Sequence, residues 1–137
     1  MKMRTRKITP APITPNHSFT DIRESWLDTL VTRALSYDII TRNTQFFPDR
    51  SVSRSEAYSM IIKSVCMPVA KISNKDWTYG IYTTAKYMAM TTSSSYAEFR
   101  SDAPISRTEM IVIASRAADW AEDTGGCNPK PEYCFLD

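Results

Sequence analysis

Two arginines sit in nearly the same four-letter setting, SRSE at 53–56 and SRTE at 106–109. A guanidinium is a planar fork of N–H donors that matches a carboxylate or phosphate by paired hydrogen bonds. Arg54 and Arg107 are therefore the residues whose type and repetition point to anion recognition. Their neighbours point to helix starts. Ser53 and Ser106 fit N-caps, and Glu56 and Glu109 fall three residues later. That is the spacing of a capping box, in which the serine oxygen accepts from the third helical amide and the glutamate accepts from the cap's own amide. The box explains serine and glutamate. It does not explain arginine, a cation at the positive end of the helix dipole. A misplaced charge kept twice needs a partner: an acidic residue of a neighbouring unit, or an anionic ligand.

Other chemistry is sparse. The single histidine, His17, lies in the N-terminal stretch, and no C-x-x-C pair occurs. No metal site is expected. The repeated carboxylates are accounted for as caps and no nucleophile–base pair is visible, so catalytic residues and cofactors are not expected and an enzyme, such as a glycosidase with paired carboxylates, ranks last. Cys127 and Cys134 flank CNPKPEYC and could close a small disulfide loop, whereas Cys66 lies in an apolar stretch and reads as a buried thiol. Such cysteines permit an oxidising compartment. The net charge of +2 is too small to argue for nucleic acid or a membrane surface. Lys2, Arg4, Arg6 and Lys7 cluster at the start without the apolar run of a secretory signal, and Pro10, Pro12 and Pro15 mark an extended tail. No stretch is apolar and long enough to span a bilayer.

The elements that must hold the arginines recur too. Trp26 matches Trp77, Leu30 matches Ile81, Ala34 matches Ala85 and Ile39 matches Met90, all 51 residues apart; Phe46 or Phe47 matches Phe99, and Val52 matches Ile105 at a spacing of 53. A two-residue insertion in the middle loop accounts for the change. Internal repetition implies stacked, similar units. In each unit an apolar face recurs at helical spacing: Trp26, Leu27, Leu30, Val31, Ala34 and Leu35 in the first, Trp77, Ile81, Ala85, Met88 and Ala89 in the second. Pro48 and Pro104 interrupt the connectors, and a second helix opens at each tetrad. Its apolar residues are Ala57, Met60, Ile61 and Val65, then Met110, Ile113, Ala114 and Ala117. The expected fold is mainly α: tandem helix-loop-helix repeats packed as a pseudo-symmetric helical bundle, with at most very short strands in the loops. The expected organisation is a basic, proline-rich tail over 1–17, repeats over 18–70 and 71–122, and a Cys/Pro/Gly-rich segment over 123–137.

The same residues resemble the S-layer homology family, whose repeats open on F-x-D and close on F-x-P followed by [IV]-[TS]-R-x-E. The first unit reads Phe19-Thr20-Asp21, Trp26, Ala34, Ile39-Ile40, Phe47-Pro48 and Val52-Ser53-Arg54-Ser55-Glu56. The second has Ile72-Ser73-Asn74 at its opening and matches again in FRSDAPISRTE. Phe135-Leu136-Asp137 is once more F-x-D. Because the family commonly carries three repeats in a three-pronged bundle, the resemblance implies the start of a third unit there, or self-association to complete it. It also implies a non-enzymatic role at the cell surface, anchoring to secondary cell-wall polysaccharide that often bears anionic pyruvyl ketals. Arg54 and Arg107 would then bind the polysaccharide, with Asp21 and its counterpart Asn74 holding sugar hydroxyls or the arginine. Trp26 and Trp77 read either as core at the helix starts or as supports for a sugar ring. A protein–protein interaction module is the alternative. The family's two glycines after the first helix are replaced by Asp38 and Arg42, and in the second unit by Ala89 and Ser93; Asn43 is a candidate for the left-handed residue of that turn.

Overall fold

Local signals set where each helix begins and ends. The computed structural model describes residues 16–125, and its helices are α1 (Ser25–Ser36), α2 (Arg54–Ser64), α3 (Trp77–Tyr87), α4 (Tyr96–Phe99) and α5 (Arg107–Thr124). The fold is mainly α. No strand is present among the described residues; one isolated antiparallel bridge joins Ser53 to Pro104. Phe99, the match of Phe46 or Phe47 in the first connector, closes the single turn α4, which Ser95 caps.

Both capping boxes are formed. Ser53 Oγ accepts from the Glu56 amide at 3.2 Å and Glu56 Oε2 accepts from the Ser53 amide at 3.0 Å. At α5 the two distances are 3.1 and 3.2 Å. Each serine contributes about 1 kcal/mol by satisfying an amide that has no partner within the helix. Asp76 caps α3 through the Thr78 amide.

Helices α1, α2 and α3 end alike. Each closes with a residue in the left-handed region: Asp38 at φ 56°, Cys66 at 61° and Ala89 at 52°. The next amide reaches back to the carbonyl five residues earlier, Ile39 to Ala34 at 2.9 Å, Met67 to Ile62 at 3.2 Å and Met90 to Ala85 at 2.9 Å. This is the Schellman arrangement, normally closed by glycine. Here no glycine serves, and Asp38 and Ala89 occupy the first of the positions where the resembled family has one. Asn43 does not take the left-handed role. The connectors match as well: Phe47 and Arg100 are both left-handed, at 58° and 51°, and each carbonyl accepts a turn hydrogen bond at 3.0 Å, from Arg50 and Ala103.

Packing is uneven between the halves. Helix α2 packs on α3 and α5, and α3 on α4. Their shared core holds Tyr58, Ile62, Ile81, Met88, Phe99 and Ile113. Helix α1 packs against none of the other helices. Its Val31 and Leu35 close instead on Phe19, with Leu27, Ile40 and Phe46 around them. Trp26 and Leu30 on α1, and Trp77, Ala89 and Ala114 elsewhere, are exposed despite lying on the apolar faces read from the sequence. Gly80 marks the tightest approach in the main core. A Cβ there would lie 2.0 Å from the Ala70 carbonyl oxygen, so only glycine lets the 69–70 segment lie on α3.

Two expectations are corrected. His17 is not part of a loose tail: its Nε2 pairs with Asp28 Oδ1 at 2.8 Å, and its ring lies 5.7 Å from that of Phe19. Cys66 is not a buried thiol; it is exposed and disulfide-bonded. The Cys127–Cys134 loop, the basic cluster and the Phe135–Asp137 motif lie outside the described residues.

An L-residue in the left-handed region costs about 1–2 kcal/mol, more than the extra freedom glycine has when unfolded. Ala89→Gly is therefore expected to stabilise the fold by about 0.5–1 kcal/mol, read as a higher denaturation midpoint in urea.

Candidate functional site

Arg54 faces the neighbouring unit. Its Nε donates to the Phe99 carbonyl at 2.8 Å and its Nη1 to Glu109 Oε1 at 2.5 Å. The guanidinium lies over the rings of Phe99 and Tyr58, at 5.7 and 5.9 Å, and only 16% of the side chain is exposed. The backbone beside it is used in the same way. The Arg54 amide donates to the Ala103 carbonyl at 2.9 Å, the Ser55 amide to Ser101 at 3.0 Å, and Ile105 returns a bond to Val52 at 3.0 Å. The free amides of this helix start, a ready anion site in principle, are thus consumed by the loop of the second unit. Of the two readings open for Arg54, the bridge between units is the one realised, and its role as a polysaccharide ligand is corrected.

Arg107 differs. It is exposed, and its side chain makes no hydrogen bond or ion pair with the described residues. Asp21 is also spent inside the protein. Its two carboxylate oxygens accept from the amides of Phe46, at 2.8 Å, and Phe47, at 2.7 Å. Those bonds, that to Phe46 first, hold its carboxyl below the usual range. It fixes the first connector and does not contact either arginine. Asn74 is exposed and left-handed at φ 60°, a turn residue before α3. Glu109 is held below the usual range mainly by the Ser106 amide, against some desolvation, with Arg54 adding to the effect. Glu56 feels partial burial first, which raises it, but Arg50 and the Ser53 amide bring it below the usual range. Arg50 Nη2 donates to Glu56 Oε1 at 2.7 Å.

The tryptophans are where the structure leaves apolar surface in water. Trp26 is 62% exposed and Trp77 56%, so the core reading fails for both. Trp26 borders a shallow groove of about 700 Å³ beside Phe46, Phe47 and Pro48. Trp77 is shared by two adjoining grooves. One, of about 680 Å³, runs between the first connector and α2, where Phe47, Arg50, Glu56 and Lys63 also line it. The other, of about 430 Å³, is lined by Lys63, Lys71 and Lys75 as well. Exposed indole surrounded by cations suits an anionic, ring-bearing ligand. The cations here were missed from sequence, although Lys71 and Lys75 stand six and two residues before Trp77. Among the described residues no group of three His, Cys, Asp or Glu could hold a metal ion, and no helix is long and apolar enough to cross a membrane.

Removing the Arg54 side chain strands the Phe99 carbonyl and uncovers two rings. Arg54→Ala is expected to cost about 1–3 kcal/mol, whereas Arg107→Ala should change stability by less than about 0.5 kcal/mol; urea titration of both compares them directly. Asp21, Glu56 and Glu109 have folded pKa values below their unfolded ones. Their contribution is complete above the ordinary carboxylate range and is lost as pH falls through it. The urea midpoint should therefore hold level from pH 7 to 5 and drop below about pH 4.5.

No family model, curated protein or solved structure matches this chain.

Proposed function

We propose that the chain is a non-catalytic anchoring module of a bacterial cell envelope, binding an anionic secondary cell-wall polysaccharide, pyruvylated polymers included, through its grooves. The observation that carries this reading is Trp77: its indole is more than half exposed and walls two adjoining grooves into which Arg50, Lys63 and Lys71 also reach. A sugar ring lies on the indole face while carboxylate or phosphate groups meet the cations. The recurrence of caps, left-handed helix ends and connectors supports two related helix-loop-helix units, which is what the resemblance to S-layer homology repeats implies. The disulfide at Cys66 fits an oxidising, extracytoplasmic setting. The cationic side chains that meet the ligand are reassigned. Arg54 works inside the protein, and Lys63 and Lys71 take its place, with Arg50 beside them, bonded to Glu56 but more exposed than Arg54.

A protein–protein interaction module is the second reading, favoured by Ile111 and Val112, which are exposed on α5.

Sedimentation with purified bacterial walls tests the proposal. The protein should pellet with intact walls and stay in solution once the non-peptidoglycan polymer has been stripped. Trp77→Ala is expected to weaken wall binding at least tenfold with an unchanged urea midpoint. Equal pelleting with stripped walls, or of the Trp77 variant, would sink the anchoring reading.

A further inference from the structure

The two units are not equally covered, and the difference follows one face. In α2, the residues at helical positions one, two and five are Arg54, Ser55 and Tyr58. All three are held under the second unit: Arg54 on Phe99 and Glu109, Ser55 through its amide on Ser101, and Tyr58 edge-on to Phe99 with ring centres 4.9 Å apart. Tyr58 is 2% exposed. The same positions of α5 are Arg107, Thr108 and Ile111, and all are exposed, Ile111 to 70%. The amides of Arg107 and Thr108 have no acceptor among the described residues. A large aliphatic group stands in water where its counterpart is core.

The surface that would cover this face is also present in the chain. The loop that receives α2 runs over 99–105, and its counterpart is 46–52, with the same left-handed residue and the same turn hydrogen bond. In the second unit, the carbonyls of Ser101 and Ala103 are bonded to the first amides of α2, and the amide of Ile105 to the carbonyl of Val52 just before it. In the first, the equivalent carbonyls of Pro48 and Arg50 and the amide of Val52 make no hydrogen bond among the described residues. Among the described residues, one chain thus carries both halves of its own internal contact, unused, on opposite units.

We propose that the N-terminal face of α5 docks on the 46–52 loop of a second copy of this chain, head to tail. The contact repeats the internal one: the amides of Arg107 and Thr108 donate to the carbonyls of Arg50 and Pro48 of the second copy, and Ile111 packs on its Phe46–Phe47 connector. Such an interface is heterologous, so copies form rings or open chains. The two contacts differ at one residue. Glu56, the counterpart of the Glu109 that receives Arg54, already holds Arg50, where the second unit has Ala103. Arg107 must compete for that carboxylate. The inference does not depend on the glycan reading, although Phe46, Phe47, Pro48 and Arg50 line the grooves as well, so that a docked copy and a glycan compete for that surface.

Sedimentation velocity of the full chain over a concentration series tests it. Mass should rise with concentration. Arg107→Glu and Ser51→Arg, both at exposed positions, should each leave a monomer, and their equimolar mixture should associate again, because each supplies the face the other lacks. Arg50→Ala, which frees Glu56, should shift association to roughly fivefold lower concentration. The proposal is overturned by a wild-type monomer at every concentration, by either blocking variant associating like wild type, or by a mixture that stays monomeric. Weaker association of Arg50→Ala would likewise overturn the competition at Glu56.

Discussion

The start of α2 depends on a neighbour. Its first two amides and its first side chain find their acceptors in the loop and the α5 start of the second unit, not in the helix that contains them. A helix leaves its leading amides unsatisfied, and burying them without partners is costly. The capping box supplies one acceptor, and the loop carbonyls at 101 and 103 supply two more. Once that contact forms, Tyr58 has to lie against Phe99, and α3, α4 and α5 close around the pair. Arg54 is the point where the polar and apolar parts of the contact meet: it bonds a carbonyl and a carboxylate while its guanidinium plane covers two rings. Arginine at a helix start opposes the dipole, and this dense set of partners offsets that opposition.

Much of this was legible in the residues because it is local. Ser-x-x-Glu defines a helix start wherever it occurs, and both boxes form. The equivalence of the units, visible as residue spacing, reappears in φ angles and turn hydrogen bonds. The direction in which Arg54 points was not legible. Its two readings differ only in where the other unit lies, and spacing within one unit carries no such information. The tryptophans show the same limit. Helical periodicity identifies the apolar face of α1, but burial needs something opposite that face, and α1 has no helix beside it. Among the described residues nothing covers Trp26 and Leu30, and both are more than half exposed.

The glycines are a different case. The turn after the first helix of each unit needs a left-handed residue, and with Asp38 and Ala89 where the resembled family has glycine, Asn43 was the candidate for that role. The geometry persists with Asp38 and Ala89. Two hydrogen bonds across each helix end over-determine the conformation and hold residues that would avoid it in isolation. Arg50 is the residue on which the two units differ most in consequence. It closes the first unit's glutamate from within, and Ala103 leaves the second unit's glutamate open for Arg54.

The small cluster around Phe19, Val31 and Leu35 shares no helix contact with the main core. Phe19, Ile40 and Phe46 of that cluster also line the groove that Trp77 walls from α3. The groove is therefore built from two separately packed groups of side chains, of which this is the smaller. Val31 and Leu35 line no part of it, yet they hold that wall in place, so a substitution there would act on whatever lodges beside Trp77 without touching it.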